Sequence, residues 1–118
     1  MTQEQVDRQF AIGKKVFELS TEEKLKYRAD LENGGYNGYK PLGIREIRPG
    51  VMDNTEIYNI PKFIPEYERP QPEIIKNHWD EIQTFATTIY SDIVRKLLTL
   101  FAIILELPEV REPGPKVA

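Results

Sequence analysis

Two long stretches of this chain carry apolar residues at helical spacing, and the stretch between them does not. Between residues 2 and 19, Val6, Phe10, Gly13 with Lys14, and Phe17 recur at steps of three and four, with Ile12 and Val16 widening the stripe. That period predicts an amphipathic helix. Thr2 and Gln5 stand at capping-box spacing and mark its start. A second helix is expected at "STEEKLKYR", capped by Ser20 with Glu23 at the reciprocal position and with Leu25 and Tyr27 facing inward. The longest pattern runs from Pro72 to Leu107, where Ile75, Trp79, Ile82, Ala86, Ile89, Ile93, Leu97, Leu100 and Ile104 are separated mostly by three or four residues. One long amphipathic helix, or two abutting ones, is expected there, with Pro72 in the first turn and Pro108 past the end. At a rise of ~1.5 Å per residue it would reach roughly 50 Å. Its last third, "LLTLFAIILEL", is apolar nearly all round, and such a helix needs cover on every side.

The middle stretch obeys other rules. "NGGYNGYKPLG", residues 33–43, gathers glycines and two tyrosines, then Pro41, and reads as a loop with tight turns. "IREIR" at 44–48 alternates like a half-exposed strand, "PGVMDN" at 49–54 is turn chemistry, and "TEIYNI" at 55–60 is β-branched and aromatic like a second strand. Pro61, Pro65, Pro70 and Pro72 then punctuate an extended connection. The fold class expected is mainly α, with a small two-stranded β element and a long C-terminal amphipathic helix.

Composition narrows the function classes. The chain has 118 residues, enough for one small domain. Hydrophobic residues make up 40% and charged ones 30%, so a folded core is expected. A net charge of -3 and a pI near 5.3 argue against a nucleic-acid partner. The chain contains no Cys, which excludes disulfides, thiolate metal sites and a Cys nucleophile. "MTQEQVDRQF" lacks the apolar core of a secretory leader, and the apolar run at 97–105 is shorter than the ~20 residues that span a bilayer. No membrane partner is expected, and the cytoplasm is the default location.

Motifs of catalysis are sparse. His78 is the only histidine, and His78-Trp79-Asp80 spells H-x-D, half of a two-histidine, one-carboxylate iron triad. Residues two apart on a helix point to different sides, so the spacing does not fit one ion there. "GYNG" at 35–38 matches the GXXG of a KH loop, yet the acidic balance favours a plain turn. Asp53 and Glu56 could pair as acid and base, but a turn leading into a strand places acids there for ordinary reasons.

The order of segments carries more information than any one of them. "FELSTEEKLKY", "NGGYNGYKPLG", "DNTEIYNIPK" and "HWDEIQTFATTIYSDIVRKLLTLFAIILELP" follow one another as in the N-terminal region of the isopenicillin N synthase-like family. The chain resembles those non-haem Fe(II), 2-oxoglutarate-dependent dioxygenases over residues 3 to 110. The matching features are Phe17 with Leu19 to Lys24, Tyr36 and Tyr39, Asp53 with Glu56, and the helix ending Leu105-Glu106-Leu107-Pro108. The resemblance implies a Gly-Tyr loop beside the mouth of the active site, with Tyr36, Tyr39 and Tyr58 as substrate-binding residues. It implies Fe(II) and 2-oxoglutarate in a full-length relative, and oxidation of a small organic molecule, as in secondary metabolism. The family's opening strand, and the double-stranded β-helix with its HxD, distant His and 2-oxoglutarate-binding Arg, have no counterpart here.

The expectation is therefore an N-terminal dioxygenase-type domain over 1–110 with a disordered tail at 111–118: an incomplete piece of an α/β dioxygenase, truncated or separately encoded. It would carry no cofactor, metal ligand or catalytic residue of its own and would be inactive alone. The alternative is a helical interaction module that associates with itself or a partner through the long apolar helix.

Overall fold

The structure is a computed structural model and describes residues 1–108. Helix α1 covers Gln3–Glu18. Its start is the expected capping box: Thr2 Oγ1 accepts the Gln5 N–H at 3.1 Å, and the Thr2 N–H donates to Gln5 Oε1 at 2.8 Å. Each bond satisfies a backbone or side-chain group that the helix itself leaves open. Helix α2, Thr21–Leu25, is capped by Ser20, whose hydroxyl accepts the Glu23 N–H at 3.1 Å. The Glu23 carboxylate binds Lys26 at 2.6 Å.

The buried face of α1 is set by Ile12 and Val16. Phe10 is 75% exposed, because two residues of helix turn it about 200° away from Ile12. Phe17 lies at the edge of the buried face. In α2 the inward residue is Lys24, and Leu25 is exposed. Both departures have one cause: the stripe that packs is chosen by its neighbours, and the largest side chains do not always occupy it.

Four short strands follow: β1 Gly38–Lys40, β2 Glu46–Arg48, β3 Val51–Met52 and β4 Ile57–Asn59. They form two antiparallel ladders, β2 with β3 and β1 with β4. The two strands read from the sequence are thus present but do not pair with each other. The partner of Ile57–Asn59 comes out of the Gly-Tyr segment, with Gly38 opposite Asn59, Tyr39 opposite Tyr58 and Lys40 opposite Ile57. On its other edge β1 is held by residues 27–29. The Tyr39 N–H donates to the Tyr27 carbonyl and the Ala29 N–H to the Tyr39 carbonyl, each at 2.8 Å.

After a 3-10 turn at Pro65–Tyr67, helix α3 spans Glu73–Lys76 and α4 spans Trp79–Thr88. A π-helical segment, Ile89–Val94, and α5, Arg95–Ile104, complete the helical run. The chain divides into two compact units, with the boundary after Gln83. The core of the first unit is Ile12, Val16, Ile75 and Ile82, with Tyr58, Ile60, Phe63, Ile74 and Trp79 packed against it. Ile75 alone, 1% exposed, contributes about 2 kcal/mol through burial. In the second unit, Leu97, Leu98, Leu100, Phe101, Ile103 and Ile104 are exposed. The tail expected to be disordered lies outside the described residues.

Candidate functional site

The Gly-Tyr segment is built into the sheet by its own backbone. Gly38 has φ +113°, which L side chains rarely adopt, and a Cβ there would sit 2.5 Å from the Tyr27 carbonyl and 2.5 Å from Arg69 Nη1. Only glycine lets β1 approach the 27–29 segment this closely. The Asn59 side-chain amide donates to the Tyr36 carbonyl at 2.8 Å and ties the turn to β4.

This backbone distributes the three candidate tyrosines unequally. Tyr36 projects from the turn and is 64% exposed. Tyr39 is buried, 2% exposed, and Tyr58 is directly across the ladder from it. Residues directly opposite share a face of the sheet, so Tyr39 and Tyr58 lie on one face of the ladder, while Tyr36 lies outside it in the turn. The Tyr58 hydroxyl donates a short hydrogen bond to Gln71 Oε1, and burial pushes its phenol up to about 12.

Charged partners brace the segment from both sides. Lys24 is buried, and its ammonium donates to Glu56 Oε1 at 2.9 Å and to the Phe17 carbonyl at 3.1 Å. The same ammonium lies 5.4 Å from the centre of the Tyr39 ring. The hydrogen bond to Glu56 raises the Lys24 pKa above its ordinary value, so the group stays charged. Asp53 organises the loop between β1 and β4. Its Oδ1 accepts from Lys40 Nζ at 2.9 Å and from the Gly43 and Thr55 amides at 3.3 Å, and its Oδ2 accepts from the Arg45 amide at 2.8 Å. The Lys40 hydrogen bond, then the amides, hold this carboxyl down at about 2. Asp53 and Glu56 are each committed to a separate cation, so they are structural anchors and not an acid–base pair.

His78 occupies the turn between α3 and α4, where its Nδ1–H donates to the Ile74 carbonyl at 2.9 Å. Among the described residues no group of three His, Asp or Glu side chains comes together to hold a metal ion. The donor set present in residues 1–108 therefore does not fit an Fe(II) triad.

A cleft of about 660 Å³ opens between the proline-punctuated connection and α3–α4. Its walls include Phe63 and Trp79, whose rings meet edge-on with centroids 4.9 Å apart, and Arg69, whose Nη2 donates to the Tyr27 carbonyl at 3.1 Å. Sequence reading missed Arg69 and Gln71, polar residues in a segment without periodicity. Lys24 enters the sequence reading only through the family resemblance, without its bracing role; its position four residues after the Ser20 cap, one helical turn in, is the local signal.

The family profile described as non-haem dioxygenase in morphine synthesis, N-terminal, matches residues 1–82. The chain belongs to that N-terminal dioxygenase family. The match ends one residue before the boundary after Gln83. No curated protein and no solved structure matches the chain. Among the described residues no helix is long and apolar enough to cross a membrane.

Proposed function

We propose that residues 1–110 are the N-terminal domain of a 2-oxoglutarate/Fe(II)-dependent oxygenase that acts on a small organic molecule in the cytoplasm, and that this chain does no redox chemistry alone. The observation that carries the reading is the family match over residues 1–82, joined to a Gly-Tyr ladder braced by Lys24, Glu56 and Asp53. The domain's part is to shape the substrate side of the site. Tyr36 presents an apolar ring with a polar tip to a ligand, and Tyr39 and Tyr58 hold the ladder behind it. Iron and 2-oxoglutarate would be held by residues other than those described here, and the parent reaction would be hydroxylation, desaturation or ring closure.

A chimera tests this reading. Residues 1–82 replace the matching segment of an active 2-oxoglutarate-dependent dioxygenase, and succinate release and substrate preference are measured. The chimera should turn over with a changed preference, and Tyr36→Ala in it should raise KM severalfold with kcat little affected. A folded chimera with the host's preference intact would count against the assignment of the Gly-Tyr loop.

The second reading is an association module. It is favoured by the exposed Leu98, Phe101, Ile103 and Ile104 side chains, an apolar surface of the kind that marks partner or self-association sites.

A further inference from the structure

The cleft beside Trp79 takes no part in the reading above. Its volume, about 660 Å³, falls within the roughly 300–1,000 Å³ of small-molecule sites. Its walls combine a flat apolar corner with charge. Phe63 and Trp79 form the corner; Lys62, Arg69 and Lys76 supply three cations and Glu68 one anion. The Arg69 head group is fixed before any ligand arrives. Nη2 donates to the Tyr27 carbonyl, and Nη1 is packed over Gly38, where nothing larger than hydrogen fits. The Nε–H is buried and has no acceptor among the described residues. A held guanidinium loses little freedom on binding, and its unsatisfied Nε–H can make a charge-assisted hydrogen bond to a carboxylate.

We propose that this cleft binds a flat aromatic carboxylate, its ring against Phe63 and Trp79 and its carboxylate on Arg69. Lys62 adds a favourable field, Lys76 does so in part because it is paired with Glu73 at 3.9 Å, and Glu68 limits the ligand to modest negative charge. A singly charged carboxylate suits those walls better than a doubly charged phosphate ester. The chemistry is binding only, so this inference stands or falls apart from the dioxygenase reading.

Trp79 is the only tryptophan in the chain, so a single indole N–H resonance reports on the cleft. The full chain is titrated with sodium benzoate, with benzyl alcohol, with acetate and with phenyl phosphate, and two-dimensional amide spectra are recorded. Benzoate should shift the Trp79 indole and the Arg69 Nε–H signals saturably. Benzyl alcohol and acetate should each bind at least tenfold more weakly, and phenyl phosphate no more tightly than benzoate. Arg69→Gln should weaken benzoate at least tenfold. Should that variant lose its folded spectrum, the exposed pair Lys62→Gln and Lys76→Gln serves instead, with severalfold weakening expected. Equal binding of benzoate and benzyl alcohol, tighter binding of phenyl phosphate, unchanged affinity in the folded variants, or shifts confined to residues 97–107 would each overturn the proposal.

Discussion

At the scale of single residues, the Gly-Tyr loop depends on two buried or half-buried ion pairs. Glu56→Gln leaves the Lys24 ammonium, 9% exposed at its side chain, with the Phe17 carbonyl and the Tyr39 ring but no counter-charge. Loss of a partner from a buried charge is costly, and about 2–4 kcal/mol of stability should disappear in urea unfolding. Asp53 makes a pH prediction. Its carboxyl sits at about 2 when folded against an ordinary value of 3.8, so its contribution is full above pH 3.8 and fades as pH falls toward 2. The Gly43, Arg45 and Thr55 amide signals should therefore shift across that window, and Asp53→Asn should abolish the shift. At the other extreme, Tyr58 is held neutral up to about 12, so the stability it contributes is present below pH 10 and declines between 10 and 12. One phenol of the six should ionise late in an ultraviolet titration, and Tyr58→Phe should remove that late step.

At the scale of elements, strand β1 exists because of one glycine. Gly38→Ala introduces a methyl 2.5 Å from the Tyr27 carbonyl at a φ of +113°, which should cost about 2 kcal/mol or more and loosen the pairing of β1 with residues 27–29. Hydrogen exchange at Ala29 and Tyr39 would read it directly. The end of α5 offers the opposite change. Glu106 takes φ 55°, and its N–H and that of Leu107 close a Schellman pair of bonds onto Ile103 and Ala102. Glycine is the easy residue there, so Glu106→Gly should stabilise the helix end by about 1 kcal/mol, seen as slower amide exchange in the last turn. These elements show what the sequence could and could not convey. The capping box at Thr2, the Ser20 cap and the strand at Ile57–Asn59 depend on neighbours in sequence, and their chemistry is readable locally. The pairing of Tyr39 with Tyr58 depends on a contact nineteen positions away, and nothing in "NGGYNGYKPLG" announces it. Phe10 misleads for the same reason: its size suggests burial, while the partner helix carrying Ile75 meets Ile12 and Val16.

At the scale of the whole molecule, two compact units carry different surfaces. The first has a closed core and a ladder locked by Lys24–Glu56 and Lys40–Asp53. The second exposes Leu98, Phe101, Ile103 and Ile104 on α5. Apolar side chains in that number favour association, so the chain should sediment with a concentration-dependent mass, and Leu98→Lys with Ile104→Lys should return it to a monomer. The order of segments made the dioxygenase family legible from sequence. The cleft at Trp79 was not legible, because Arg69 and Gln71 lie among prolines in a stretch with no period. The proposed function is a division of labour in which this chain would shape a substrate site and the iron chemistry would lie elsewhere. The most direct measurement is succinate release by the purified chain supplied with Fe(II), ascorbate and 2-oxoglutarate. The account predicts no succinate above a protein-free control, and sustained turnover proportional to protein concentration would contradict it.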